Sequence, residues 1–157
     1  MSTEIERKFR VTGEFRDHAR DAERIVQGFL SSVPERTVRV RKRNGRGYLT
    51  IKGKGDSTGT TRYEWEREIP PDEADALLAL CEPGIIDKTR HYVPVDGQVF
   101  EVDEFHGENA GLIVAELELV HADDPIPSPP WLGPEVTGDA RYYNAALKAH
   151  PYSQWLE

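Results

Sequence analysis

Runs of strand length in this chain alternate charged and apolar residues with period two, and beyond the N-terminal run each charged face keeps one sign. Arg39, Arg41 and Arg43 interleave with Val38 and Val40, and Thr50, Lys52 and Lys54 with Leu49 and Ile51. Glu64, Glu66 and Glu68 oppose Tyr63, Trp65 and Ile69, while Lys88 and Arg90 lie two apart. Glu101 and Asp103 flank Val102 beside Phe100, and Glu116 and Glu118 alternate with Ala115, Leu117 and Leu119. At the N-terminus Glu4, Glu6 and Lys8 share a face opposite Ile5, Phe9 and Val11. Side chains of a strand point alternately to its two faces, so each run has one charged and one apolar side. Strands are expected near 3–11, 24–31, 37–44, 47–54, 61–69, 89–95, 98–105 and 112–121.

A sheet with one face on a core and one in water shows the same alternation. Such a face usually mixes signs so that neighbouring strands pair. Here acids recur two apart on four strands and bases on three. Like charges about 4 Å apart repel by about 4 kcal/mol at an effective dielectric of 20. That repulsion vanishes if acidic strands share a metal ion and basic strands share a polyanion. Two carboxylates and an ammonium in one row also suit a divalent cation beside an anion, as in a metal–polyphosphate substrate. Eight strands suffice to close a barrel just wide enough for a small ligand. The expected class is therefore α+β, mainly β: an eight-stranded antiparallel closed β-barrel, a tunnel, with a few covering helices.

Asn44-Gly45 and Asp96-Gly97 carry the chemistry of tight hairpin turns. Glu14–Glu23 reads as a moderately helical connector, Pro71–Leu80 as a helix with proline and acids in its first turn, and Asp139–Ala149 as a helix capped by Asp139. Tyr143 and Leu147 are expected on one face of that last helix. Pro125–Pro134 reads as an extended surface segment and Gly53–Thr61 as a mobile loop without P-loop spacing. The 157 residues make one domain, 1–157. A net charge of -8 argues against a nucleic-acid partner. The single Cys81 allows no intramolecular disulfide, and no apolar run is long enough to span a membrane, so a cytoplasmic protein without a membrane partner is expected. Monomer and homodimer both stay open.

Glu4-x-Glu6-x-Lys8 resembles the ExExK signature of the CYTH family, the triphosphate tunnel metalloenzymes. The resemblance runs through Gln27-Gly28-Phe29-Leu30, Val38-Arg39-Val40-Arg41, Leu49-Thr50-Ile51-Lys52, Tyr63-Glu64-Trp65-Glu66 and Lys88-x-Arg90. It continues through Glu101-Val102-Asp103 and Ala115-Glu116-Leu117-Glu118 to Arg141-Tyr142-Tyr143-Asn144-x-x-Leu147. Phe29 stands where the family often has a tyrosine. The resemblance implies a charged tunnel that binds a small triphosphate and uses Mg²⁺ or Mn²⁺, two ions. It implies metal ligands in Glu4, Glu6, Asp103, Glu116 and Glu118. Phosphate ligands are implied in Lys8, Arg39, Arg41, Lys52, Lys88, Arg90 and Lys148, with Glu64, Glu66 and Glu101 as further tunnel acids. Glu4, Glu6, Lys8, Glu116 and Glu118 form the implied catalytic set.

The implied reaction is hydrolysis of inorganic triphosphate to pyrophosphate and phosphate. The alternatives are an adenylate cyclase, a nucleoside or thiamine triphosphatase, and a non-catalytic polyphosphate-binding module. Scarcity of aromatic residues on the charged faces, where only Phe29 and Phe105 are expected, favours the inorganic substrate. A base or thiamine ring gains affinity from stacking.

Overall fold

The computed structural model describes residues 5–54 and 63–155. Strands dominate, as the alternation predicts: β1 (Ile5–Val11), β2 (Asp21–Ser31), β3 (Arg36–Arg43), β4 (Arg46–Gly53), β5 (Glu64–Ile69), β6 (Ile86–Val95), β7 (Gln98–Phe105), β8 (Ile113–Leu119) and β9 (Leu132–Glu135). Two α-helices accompany them, α1 (Pro71–Leu78) and α2 (Asn144–Ala149). The α+β, mainly β class therefore holds. The strand count is corrected from eight to nine, because Leu132–Glu135 pairs with β1 instead of running free over the surface.

Residues Arg24–Asp87 form one compact unit; the described residues up to Glu23 and from Lys88 onward form another. Unit 1 orders its strands β5-β4-β3-β2 and unit 2 orders β6-β7-β8-β1-β9. The pairings with a described register are all antiparallel. β5 ends the run in unit 1 and β9 ends it in unit 2, so neither unit closes a ring by itself.

Both hairpin turns have left-handed backbone at each central residue, with φ 51° and 82° at Asn44-Gly45 and 50° and 80° at Asp96-Gly97. These angles match the right-handed twist of the flanking strands. In unit 1 α1 covers the apolar face of β3 and β4. Gly47 permits that approach: a Cβ there would lie 2.7 Å from the Cβ of buried Ala74. In unit 2 the apolar faces of β1, β7 and β8 bury Phe9, Phe100, Val102, Ala115, Leu117 and Leu119 around Trp131 and Phe15. Phe100 and Trp131 meet edge to face at 5.2 Å between ring centroids. Burial of such a ring contributes about 1.5–3 kcal/mol.

Two expected helices change. Within Glu14–Glu23 only Arg16–His18 turns, as a 3-10 turn, and Asp21 already begins β2. Complete burial of Phe15 and the bond from Arg20 N to Tyr92 O draw the segment into the fold in extended form. The Asp139–Ala149 helix breaks at Tyr143, which is extended at φ -76° and ψ 143°. Asp139 does act as a cap, accepting from Arg141 N, but for the short 3-10 turn Ala140–Tyr142. Tyr143 is 46% exposed while Leu147 is 1% exposed, so they do not share a buried face. Residues 55–62, most of the expected mobile loop, and Glu4 lie outside the described residues.

Candidate active site

The polar face of unit 2 is assembled by register. Opposite Glu118 on β8 stands Glu6 on β1, and opposite Glu116 stand Lys8 on β1 and Glu101 on β7. Arg90 on β6 is opposite Asp103 on β7. Directly opposed residues share a face, so Glu6, Lys8, Glu116, Glu118, Glu101, Asp103 and Arg90 line one side, with Lys88 two residues from Arg90. Charges that are blocked along each strand are thus paired across strands at Lys8/Glu116 and Arg90/Asp103, and left like against like at Glu6/Glu118 and Glu101/Glu116.

Asp103 is the centre of that pairing. Lys88 Nζ lies 2.9 Å from Oδ2, and Arg90 donates through Nε to Oδ1 at 2.8 Å and through Nη2 to Oδ2 at 3.0 Å. Side-chain exposure of Lys88 and of Asp103 is only 4%. Burial pushes the Asp103 carboxyl upward, but the Lys88 charge and the Arg90 hydrogen bonds hold it below its usual range. Burial likewise opposes the Arg90 charge, yet bonding to Asp103, with Glu101 and Glu116 nearby, holds its pKa above the ordinary value. Both carboxylate oxygens of Asp103 are engaged by the two cations, so it fixes Lys88 and Arg90.

The remaining acids on this face suit a hard cation. Glu6/Glu118 and Glu101/Glu116 are like-charge register pairs, and opposed like charges are destabilising. Burial raises the Glu101 pKa, with Arg90 lowering it and Asp103 and Glu116 raising it further. A divalent ion between such carboxylates relieves both costs, and all-oxygen donors match Mg²⁺. Among the described residues no three His, Cys, Asp or Glu side chains form a ready metal cage. A set of few carboxylates plus water is the pattern Mg²⁺ tolerates.

In unit 1 the arginine face behaves differently. Arg39 is opposite Phe29 on β2 and Thr50 on β4, and Arg41 is opposite Gln27 and Tyr48. Glu66 Oε1 accepts from Thr50 Oγ1 at 2.6 Å and lies 3.9 Å from Arg39 Nη2. Lys52 Nζ is 3.8 Å from Glu64 Oε1. The buried Nε of Arg39 has no hydrogen-bond partner among the described residues. Burial, then the Arg41 charge, lower the Arg39 pKa to about 10 against the pull of Glu66 and Glu64. A guanidinium so placed is poised for an anion, and its fork suits phosphate oxygens.

Lys8 stands in a depression of about 410 Å³ lined by Glu6, Thr137, Gly138 and Tyr143. Its ammonium is 3.5 Å from Glu116 Oε1 and 5.0 Å from the Tyr143 ring centroid. Lys148 falls in the last turn of α2, half-buried. Sequence reasoning put Thr50 on the charged face with Lys52, as found, but did not single out Gln27, Thr137 and Tyr143 as members of these surfaces. Thr50 and Gln27 are 1% and 2% exposed, and their polarity at strand positions in step with Arg39 and Lys52 was the available signal. A second depression of about 340 Å³ in unit 1 is lined by Arg24, Lys42 and Asp75 among others. Its cations are already paired, Arg24 with Asp87 and Lys42 with Asp75.

Both units thus present charge-lined antiparallel strands, with carboxylate register pairs in unit 2 and the arginine pair Arg39 and Arg41 in unit 1. The chain belongs to the CYTH domain family, whose model matches residues 2–143. It is 44% identical to an inorganic triphosphatase of Acetivibrio thermocellus over 158 aligned positions, covering 100% of both chains. It is 37% identical to an inorganic triphosphatase of Nitrosomonas europaea over 92% of this chain and 96% of that one. A solved structure of an inorganic triphosphatase superposes with a TM-score of 0.73 at 34% identity, covering 94% of this chain and 95% of the other. Among the described residues no helix is long and apolar enough to cross a membrane.

Proposed function

We propose that this protein hydrolyses inorganic triphosphate to pyrophosphate and phosphate with Mg²⁺ or Mn²⁺, two ions. The observation that carries the reading is the under-compensated Arg39, half-buried beside Arg41, with a buried Nε that has no hydrogen-bond partner among the described residues. The names of the two relatives support the choice of substrate. Bound divalent ions supply neutralisation of phosphate oxygens and a water of lowered pKa. Glu6, Glu116 and Glu118, with Glu4 and Glu101, are assigned to hold them.

The residues of the chain supply binding and orientation. Arg39 and Arg41 take phosphate oxygens by their forks, and Lys8 and Lys52 add point charges. Asp103 keeps Lys88 and Arg90 in fixed positions, so their donors meet a phosphate without rearrangement. Lys148 adds a further cation. Glu64 and Glu66 orient Lys52 and Arg39. Phosphoryl transfer asks for placement and charge stabilisation, and little covalent chemistry. The single, half-buried Cys81 agrees with a reducing, cytoplasmic setting.

The test is a panel of inorganic triphosphate, ATP and thiamine triphosphate at matched free Mg²⁺ and Mn²⁺, with products resolved by ion chromatography. The expected result is the highest kcat/KM for inorganic triphosphate, release of pyrophosphate and phosphate, and no turnover in chelator. Faster cleavage of ATP, or release of cyclic AMP, would overturn the substrate assignment. The presence of Tyr48 and Tyr143 on the polar faces, where the sequence suggested only Phe29 and Phe105, makes that comparison necessary.

A further inference from the structure

Lys8 is anchored through its backbone and suspended through its side chain. Its N–H donates to Thr137 Oγ1 at 2.8 Å and its carbonyl accepts from Val136 N at 2.7 Å. The ammonium has a looser hold. At 3.5 Å from Glu116 Oε1 it forms an ion pair longer than a good hydrogen bond. Its other neighbour is the face of the Tyr143 ring, 5.0 Å from the centroid.

Tyr143 is not in that position for packing, because 46% of it is exposed while Tyr142 and Leu147 on either side are buried. Its backbone is nonetheless fixed. Tyr143 N donates to Ala140 O at 3.1 Å, and Leu147 N donates to Tyr143 O at 2.9 Å. An extended residue between a 3-10 turn and a helix therefore aims a ring at a cation from a pinned backbone.

We propose that Tyr143 is a positioning residue that holds the Lys8 ammonium off Glu116 and toward the bound triphosphate. This rests on the reading of Lys8 as a phosphate ligand. A π-face attracts a cation without using up its three N–H donors, which stay available for phosphate oxygens. A second carboxylate would consume them. Without the ring, the ammonium closes on Glu116, and substrate must break that pair before binding.

The experiment compares wild type, Tyr143→Phe and Tyr143→Leu by steady-state hydrolysis of inorganic triphosphate with Mg²⁺, and by NMR of the Lys8 ε-methylene group. Tyr143→Leu should lower kcat/KM by about five- to tenfold, mostly through KM, because the cation is largely shielded from water. Tyr143→Phe keeps the face and should restore activity to within about twofold of wild type. The Lys8 ε-protons should be shifted upfield by the ring in wild type and Tyr143→Phe, and should lose that shift in Tyr143→Leu. Equal kinetics or equal Lys8 shifts in wild type and Tyr143→Leu overturn the proposal, as does a Tyr143→Phe as impaired as Tyr143→Leu. A wild type that fails to cleave triphosphate overturns the proposed function, and the NMR arm then still decides whether Tyr143 holds Lys8.

Discussion

The two units carry the same alternation of charge and apolar residues, yet their polar faces are balanced in opposite ways. In unit 2 the buried Lys88 and the half-buried Arg90 converge on Asp103 at 2.8–3.0 Å. In unit 1 Glu66 stands 3.9 Å from Arg39, Thr50 competes for the same oxygen, and Arg41 adds repulsion. Lys88 and Arg90 are neutralised closely by Asp103, and Arg39 is compensated only loosely by Glu66. A cation of the first kind is held in place by its own carboxylate, whereas one of the second kind gains most from an external anion. Preorganised donors and unsatisfied donors are two separate contributions to binding, and Arg90 and Arg39 exemplify one each.

The sharpest way to break the comparison is to remove the neutralising carboxylate of unit 2. Asp103→Asn keeps the volume and leaves the buried Lys88 and the half-buried Arg90 without their shared partner. Loss of one member of a buried ion pair costs about 3–5 kcal/mol, which in a chain this size lowers Tm by about 6–20 °C. A shift under about 2 °C by calorimetry would mean that Asp103 is not the keystone. Glu6→Gln comes next. It should lower kcat for triphosphate at least about tenfold, or 1.4 kcal/mol, with an unchanged circular dichroism spectrum. Retention of more than about a tenth of the rate takes Glu6 out of the proposed metal site.

Arg39→Gln probes unit 1 and should have the reverse sign to Asp103→Asn. It removes a half-buried guanidinium that burial and Arg41 oppose, so the ligand-free protein should gain stability, about 2–4 °C in Tm for each kcal/mol of repulsion relieved, while activity falls. A drop in Tm would show that Glu66 already compensates Arg39. The smallest effect lies in the Arg7–Glu135 pair that joins β1 to β9. Hydrogen bonds from Arg7 and then Thr137 hold the Glu135 carboxyl down to about 2 from an ordinary value of 4.5. A carboxylate with a depressed folded pKa stabilises above its unfolded value and loses that contribution as pH falls toward the folded one. The Tm advantage of wild type over Glu135→Gln should therefore be full above about pH 4.5 and fade between about 4.5 and 2. An advantage constant across that window means that the charge on Glu135 is not its source.

Much of this architecture was legible in the sequence, because period two and turn chemistry are local. The strands containing Arg39, Thr50, Glu101 and Glu116 and both left-handed turns lie where the alternation put them. β9 was not legible: four residues with Gly133 and Pro134 have no period, and only the open edge of β1 makes them a strand. The pairing of charges was hidden for a related reason. Blocks of one sign look repulsive along the chain, but which block meets which depends on register, and register sets Asp103 against Arg90 and Lys8 against Glu116. Tyr143 was misread because a helical spacing to Leu147 exists in sequence while the backbone breaks at that residue.

The central claim is that Arg39 in unit 1 is under-compensated and serves a polyanion. Thermal melting of wild type and Arg39→Gln, in chelator with and without inorganic triphosphate, tests it most directly. A ligand that binds only the folded state raises stability by RT ln(1 + [L]/Kd). The account predicts a clear, concentration-dependent rise in Tm for wild type and a much smaller rise for Arg39→Gln from a higher starting point. Equal rises in the two proteins, or no rise in wild type, would contradict it.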